Sequence, residues 1–138
     1  MLGRSSATQF RIALILAVGV LALTAPAARA AQPQTFESFC AEWMGKLAAR
    51  EQANAAKVQY TPQGGQVVGT YTGYEKTPLK CQSRAKPGVR GVGTLVYNQL
   101  QLRKAGTSAE AAKKSSPEVV EKTEVMEIFS FDGSAWKY

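Results

Sequence analysis

Between Phe36 and about Lys57, the apolar residues Phe36, Phe39, Cys40, Trp43, Met44 and Leu47 recur at helical spacing and form one stripe. That periodicity predicts a long amphipathic helix. Thr35 stands where an N-cap belongs, Glu37 falls in the first turn, and Glu42 and Lys46 form an i,i+4 pair in the favourable order. The second half of the helix is alanine-rich. Gly45 is its one weak point and is read as a close approach to the sheet. After the helix the pattern changes to alternation. Val58–Thr61 reads as a short strand, Pro62-Gln63-Gly64-Gly65 as a hairpin loop, and Gln66–Tyr74 as a strand rich in β-branched and aromatic residues. Glu75–Arg90, broken by Pro78 and Pro87, reads as a loop. Gly91 to about Arg103 is the longest clear strand, with Val92, Val96, Leu100 and Leu102 on one face and Leu95 and Tyr97 on the other. Lys104–Pro117 is small and polar: either one turn of helix over Ala109–Lys114 capped by Ser108, or a flexible excursion. Glu118–Phe131 reads as the last long strand, followed by a turn at Asp132-Gly133 and a short edge strand within Ser134–Tyr138. The expected fold class is α+β, one long N-terminal helix packed on an antiparallel sheet of four or five strands.

The first thirty residues have a different pattern. Arg4 and Arg11 precede an uninterrupted apolar run, Ile12–Leu23, and Ala28-Arg29-Ala30 is a small-x-small site. This is the pattern of a signal peptide cleaved before Ala31, with an exported product in the periplasm or outside the cell and no membrane span after cleavage. The run is short for a bilayer core. Residues 31–138 then form a single domain. The formal net charge of +7 falls to +4 once Arg4, Arg11 and Arg29 are removed, a value that suits solubility and does not call for nucleic acid.

Cys40 and Cys81 are the two cysteines of the chain. In an oxidising compartment an even count predicts a disulfide. A bridge closing a loop of about forty residues stabilises by about 4 kcal/mol in the chain-entropy picture. The chain has no histidine, which removes histidine-based nucleophilic catalysis and imidazole metal ligands. Two cysteines alone do not make a zinc site. The single aspartate, Asp132, lies in a turn, so a calcium-type site is not expected either. Neither CxxC nor a dinucleotide-binding glycine motif occurs, and no cofactor is expected.

Three constellations remain as candidate sites. Glu127 shares a strand face with Val125, Phe129 and Phe131. If that face is inward, its carboxyl could serve acid–base chemistry beside Tyr71 or Tyr97. Lys76, Lys80, Arg84, Lys86 and Arg90 make one basic segment, a surface for an anionic membrane, a polyanionic glycan or an acidic partner, or simply a solvated loop. Trp43, Met44, Tyr71, Tyr97, Met126 and Phe129 could line a pocket between helix and sheet, or be core.

The order of one helix followed by antiparallel strands resembles the cystatin-like α+β folds, a group that includes the nuclear transport factor 2-like cone domains. Gln66-Val67-Val68-Gly69 resembles the Gln-x-Val-x-Gly hairpin of cystatin protease inhibitors, with the glycine one residue early and no Pro-Trp in the second loop. No inhibitory role is carried over from it. The stretch Glu127–Gly133 and the terminal aromatics are similar to those of short exported bacterial proteins, a resemblance that implies location and not activity. The leading expectation is an exported, non-catalytic binding module for a partner protein or a small apolar ligand. The alternatives are a cone-type acid–base enzyme or carrier centred on Glu127, and a secreted inhibitor acting through Pro62–Gly69. A dimer through an uncovered sheet face is compatible with all three.

Overall fold

The structure is a computed structural model that describes residues 33–138 apart from 85, 87 and 88. The expected signal segment and its cleavage site lie outside the described residues. Helix α1 (Phe36–Ala56) begins where Thr35 caps it, the hydroxyl oxygen accepting the Ser38 N–H at 3.2 Å. A cap of this kind stabilises by about 1 kcal/mol. The chain then runs through strand β1 (Thr61–Gln63), β2 (Gln66–Tyr74), β3 (Lys80–Ser83), β4 (Gly91–Gly106), helix α2 (Ala109–Lys114), β5 (Glu118–Phe131) and β6 (Trp136–Lys137). The fold is thus α+β, a helix against a curled antiparallel sheet. Among the described residues no helix is long and apolar enough to cross a membrane.

Sheet order is β1-β2-β4-β5-β6, with β3 also paired to β4. The sixteen-residue β4 is the spine. One of its edges carries β5 along its whole length. The other carries β2 against Gln99–Gly106 and β3 against Gly93–Val96. The β3 strand corrects the expected loop over Glu75–Arg90. Its four residues have little strand preference of their own and are held by the neighbouring edge of β4, a tertiary effect on a weak local signal. The β1–β2 connection is also tighter than expected. Pro62 and Gln63 pair with Val67 and Gln66, leaving a two-residue turn in which Gly64 and Gly65 both take positive φ, as a mirror-image hairpin turn requires. Pro62 is tolerated because β1 is an edge strand.

The core lies between α1 and one sheet face. Phe36, Phe39, Met44 and Leu47 meet Leu95, Tyr97, Phe129, Phe131 and Trp136. Phe129 sits edge-on to both Phe39 and Trp43, with ring centroids 4.7 and 4.8 Å apart. Phe36 fits over Gly93, where any Cβ would collide with its ring. The second helix forms as one of the two readings expected: Ser108 caps it, accepting the Ala111 N–H at 3.1 Å, and Ala112 is fully buried. The C-terminal turn is closed by Asp132, whose Oδ1 accepts the N–H groups of Ser134 and Ala135, each at 2.9 Å. The adjacent Lys137 ammonium, with these donors, holds that carboxyl well below the usual range. Trp136 then donates its indole N–H to the Gln34 carbonyl at 3.2 Å, joining the two ends of the described chain.

Candidate functional site

The irregular join between β2 and β3 creates a concavity beside α1. Tyr74 pairs with Gln99 and Lys80 with Val96, so residues 75–79 stand opposite only Tyr97 and Asn98. The surplus chain is pushed out of the sheet as a wide bulge. Its two ends stay bonded to β4, from the Glu75 N–H to the Asn98 carbonyl at 3.0 Å and from the Leu79 N–H to the Val96 carbonyl at 2.7 Å. Asn98, the one buried polar side chain among the described residues, donates its amide to Glu75 Oε2 at 2.8 Å. The Lys122 ammonium takes the other Glu75 oxygen. Lys122 first, then Asn98, lowers the Glu75 carboxyl from its ordinary value.

Between this bulge and α1 lies an open groove of about 670 Å³. Its helix wall is Ala41, Gly45 and Ala48 above the buried Cys40 and Met44, and its far wall is Tyr74 to Pro78. The two walls are tied together at both ends. At one end Cys40 and Cys81 form the expected disulfide. At the other, Glu51 accepts the Tyr74 N–H at 2.8 Å and Asn54 donates to the Thr72 carbonyl at 2.9 Å. These two side chains satisfy the backbone of β2 where β1 no longer covers it. Gly45 therefore needs correction. It does not mark a close approach to the sheet, because a Cβ there would meet nothing within 4 Å. Glu37, Glu51, Glu75 and Lys76 stand around the rim. Glu51 and Glu75 already have partners; Glu37 and Lys76 have no ion pair among the described residues.

The six residues expected to line one pocket are dispersed. Met44 borders the groove, while Trp43 and Phe129 pack on each other in the aromatic core. Tyr97 is buried against Tyr74, with centroids 6.1 Å apart. Tyr71 lies by the end of α1 with Asn54 and Lys57, and Met126 is exposed on the opposite sheet face. Parity already separates Met126 from Phe129, since residues three apart on a strand point to opposite faces.

Glu127 does sit beside Tyr97, which donates to its Oε1 at 3.1 Å; Tyr71 is not at hand. Burial, and then the Glu127 carboxylate, pushes the Tyr97 hydroxyl up to about 12. At neutral pH this phenol holds its proton and serves as a fixed donor, which is the reverse of a poised acid–base partner. Tyr138 approaches the same carboxylate and its pKa is raised by it. Glu127 does not line the groove. Trp43, stacked on Tyr138 at 5.9 Å, has a buried indole N–H without a partner.

The five basic residues do not converge on one point. Lys76 is at the groove rim, Lys80 and Arg84 border a second, more polar concavity with Val92 and Thr94, and Lys86 and Arg90 follow. None makes an ion pair among the described residues. Among the described residues no group of three or more His, Cys, Asp or Glu side chains could hold a metal ion. Compared with known families, curated proteins and solved structures, the chain matches none.

Proposed function

We propose that this protein is a non-catalytic binding module, exported to an oxidising compartment, that takes a small, largely apolar ligand in the groove between α1 and the 75–79 bulge. The observation that carries the reading is Gly45. A glycine inside a helix costs about 1 kcal/mol relative to alanine, and here no packing contact requires it. Flanked by Ala41 and Ala48 on the same wall, it keeps the helix surface low over an apolar floor of Cys40, Met44 and Cys81. The wall opposite is held by Asn98 and Lys122 through Glu75, and the two walls are fixed by the disulfide and by Glu51 and Asn54. A concavity with an apolar floor, few polar groups and braced walls is the usual form of a small-molecule site. The helix against an antiparallel sheet supports a cystatin-like reading of the arrangement, with no inhibitory role attached.

Filling the groove tests the reading. Gly45→Leu places a side chain in open space and leaves the packed face of α1 untouched. Native mass spectra of the exported protein should show a retained small molecule, and the fluorescent apolar probe N-phenyl-1-naphthylamine should bind the unmodified protein. Gly45→Leu should lose the retained mass and weaken the probe at least about tenfold, the effect of losing about 1.4 kcal/mol. A bare native mass together with equal probe binding by both proteins rules the groove out.

A further inference from the structure

The two outer edges of the sheet differ. The edge of β2 is covered by β1 and then by Glu51 and Asn54. The edge of β5 is left open. β5 pairs with β4 along its whole length but with β6 only at Ser130 and Phe131. From Glu118 to Ile128 no strand lies beside its outer edge among the described residues. The ladder fixes which groups face out. The carbonyls of Val96 and Asn98 accept bonds from the β3 side of β4, so the odd-numbered residues of β4 in this region bond to β5. Their partners are Thr123, Val125 and Glu127. The N–H and C=O groups of Lys122, Glu124, Met126 and Ile128 are therefore free.

The side chains along this edge have a sign. Glu118, Glu121, Glu124 and Glu127 accompany a single lysine, Lys122, whose charge is taken by Glu75. Glu118 lies 3.8 Å from Arg103, whereas Glu121 and Glu124 have no ion pair among the described residues. Met126 and Ile128 are 59% and 62% exposed on the outer face, unusual for large apolar residues. Natural sheets blunt a long edge by covering it, twisting it or charging it. Here the one irregularity in the β4–β5 ladder is the bulge at Val120, at the far end. A row of glutamates opposes pairing with a second copy of itself, because like charges would stand opposite one another. The same row attracts a basic strand.

We infer that the open edge of β5 receives an extended segment of a partner protein rich in lysine or arginine, which joins the sheet as a further strand. Main-chain bonds to Lys122, Glu124, Met126 and Ile128 hold it, Glu121 and Glu124 select its charge, and Met126 and Ile128 take its apolar side chains. The site is separate from the groove and does not depend on it.

Amide hydrogen exchange on the full chain tests the inference. The probe is a ten-residue synthetic peptide alternating lysine with valine or threonine. At saturating peptide the amides of Lys122, Glu124, Met126 and Ile128 should slow about tenfold or more, while Val125 and Glu127, protected throughout, stay as they were. The same peptide with glutamate for lysine should not protect them, nor should one N-methylated on alternate residues, which keeps the charge but cannot complete a ladder. Glu121→Lys combined with Glu124→Lys, both on the surface, should lose the effect. Absence of protection in the unmodified protein overturns the inference, as does equal binding of the N-methylated peptide. Protection of the same four amides by raising protein concentration alone would give the edge to a second copy and also overturn it.

Discussion

Helix α1 presents two faces to the rest of the molecule, built from opposite materials. One bears Phe36, Phe39, Trp43 and Leu47 and is pressed into the rings of Phe129, Phe131 and Trp136. The other bears Ala41, Gly45 and Ala48 and looks into open space. The first face gives up side-chain freedom for burial and so carries the stability. The second uses the least side chain a helix can carry and contributes almost none. One helix can therefore brace the fold on one side and leave a braced vacancy on the other. The small residues are not a gap in the amphipathic pattern but a second instruction written over it.

Substitutions should separate the two faces sharply. Phe129→Ala, at the centre of the packed face and 1% exposed, should destabilise by about 4 kcal/mol, read as a fall in the urea midpoint with little change in slope. Replacing both Cys40 and Cys81 with alanine should cost about 4 kcal/mol and should also loosen probe binding, because the bridge sits where the two faces meet. Gly45→Ala should move the other way, raising stability by about 0.5–1 kcal/mol. An equal loss there would mean that the helix needs the glycine for its own packing, and the contrast between the faces would collapse.

Much of this was legible in the residues. The stripe from Phe36 to Leu47, the Thr35 cap and the alternation of Glu118–Phe131 specify elements through local spacing alone, and they form as expected. The disulfide followed from an even cysteine count. The groove was not legible, because it arises from a mismatch between strands: residues 75–79 against Tyr97 and Asn98. Nothing local in Glu75–Leu79 says how many residues of β4 will stand opposite. Tyr74, not Tyr71, meets Tyr97 because Tyr74 pairs with Gln99 and Tyr71 with Leu102, and residues three apart on a strand point to opposite faces. The β3 strand was hidden for a related reason, being Cys81 with three polar and charged residues, Lys80, Gln82 and Ser83, held by a neighbour. Gly45 was visible as an anomaly, but its meaning depended on what lay above it.

The position of β4 along the chain has a consequence for how the molecule is made. Every long pairing, with β2, β3 and β5, passes through this one strand, and its first residue is Gly91. A chain still being synthesised can form α1 and the β1–β2 hairpin early, but the sheet has no spine until the tenth decade of residues has emerged. The aromatic stripe of α1 waits longer still, because the rings it closes on, Phe129, Phe131 and Trp136, follow β4 in the chain. This topology predicts that the sheet and its core close in one late step. Both cysteines are out before the strand that sets their geometry, so the bridge can record a correct arrangement but has no template to do so until β4 arrives.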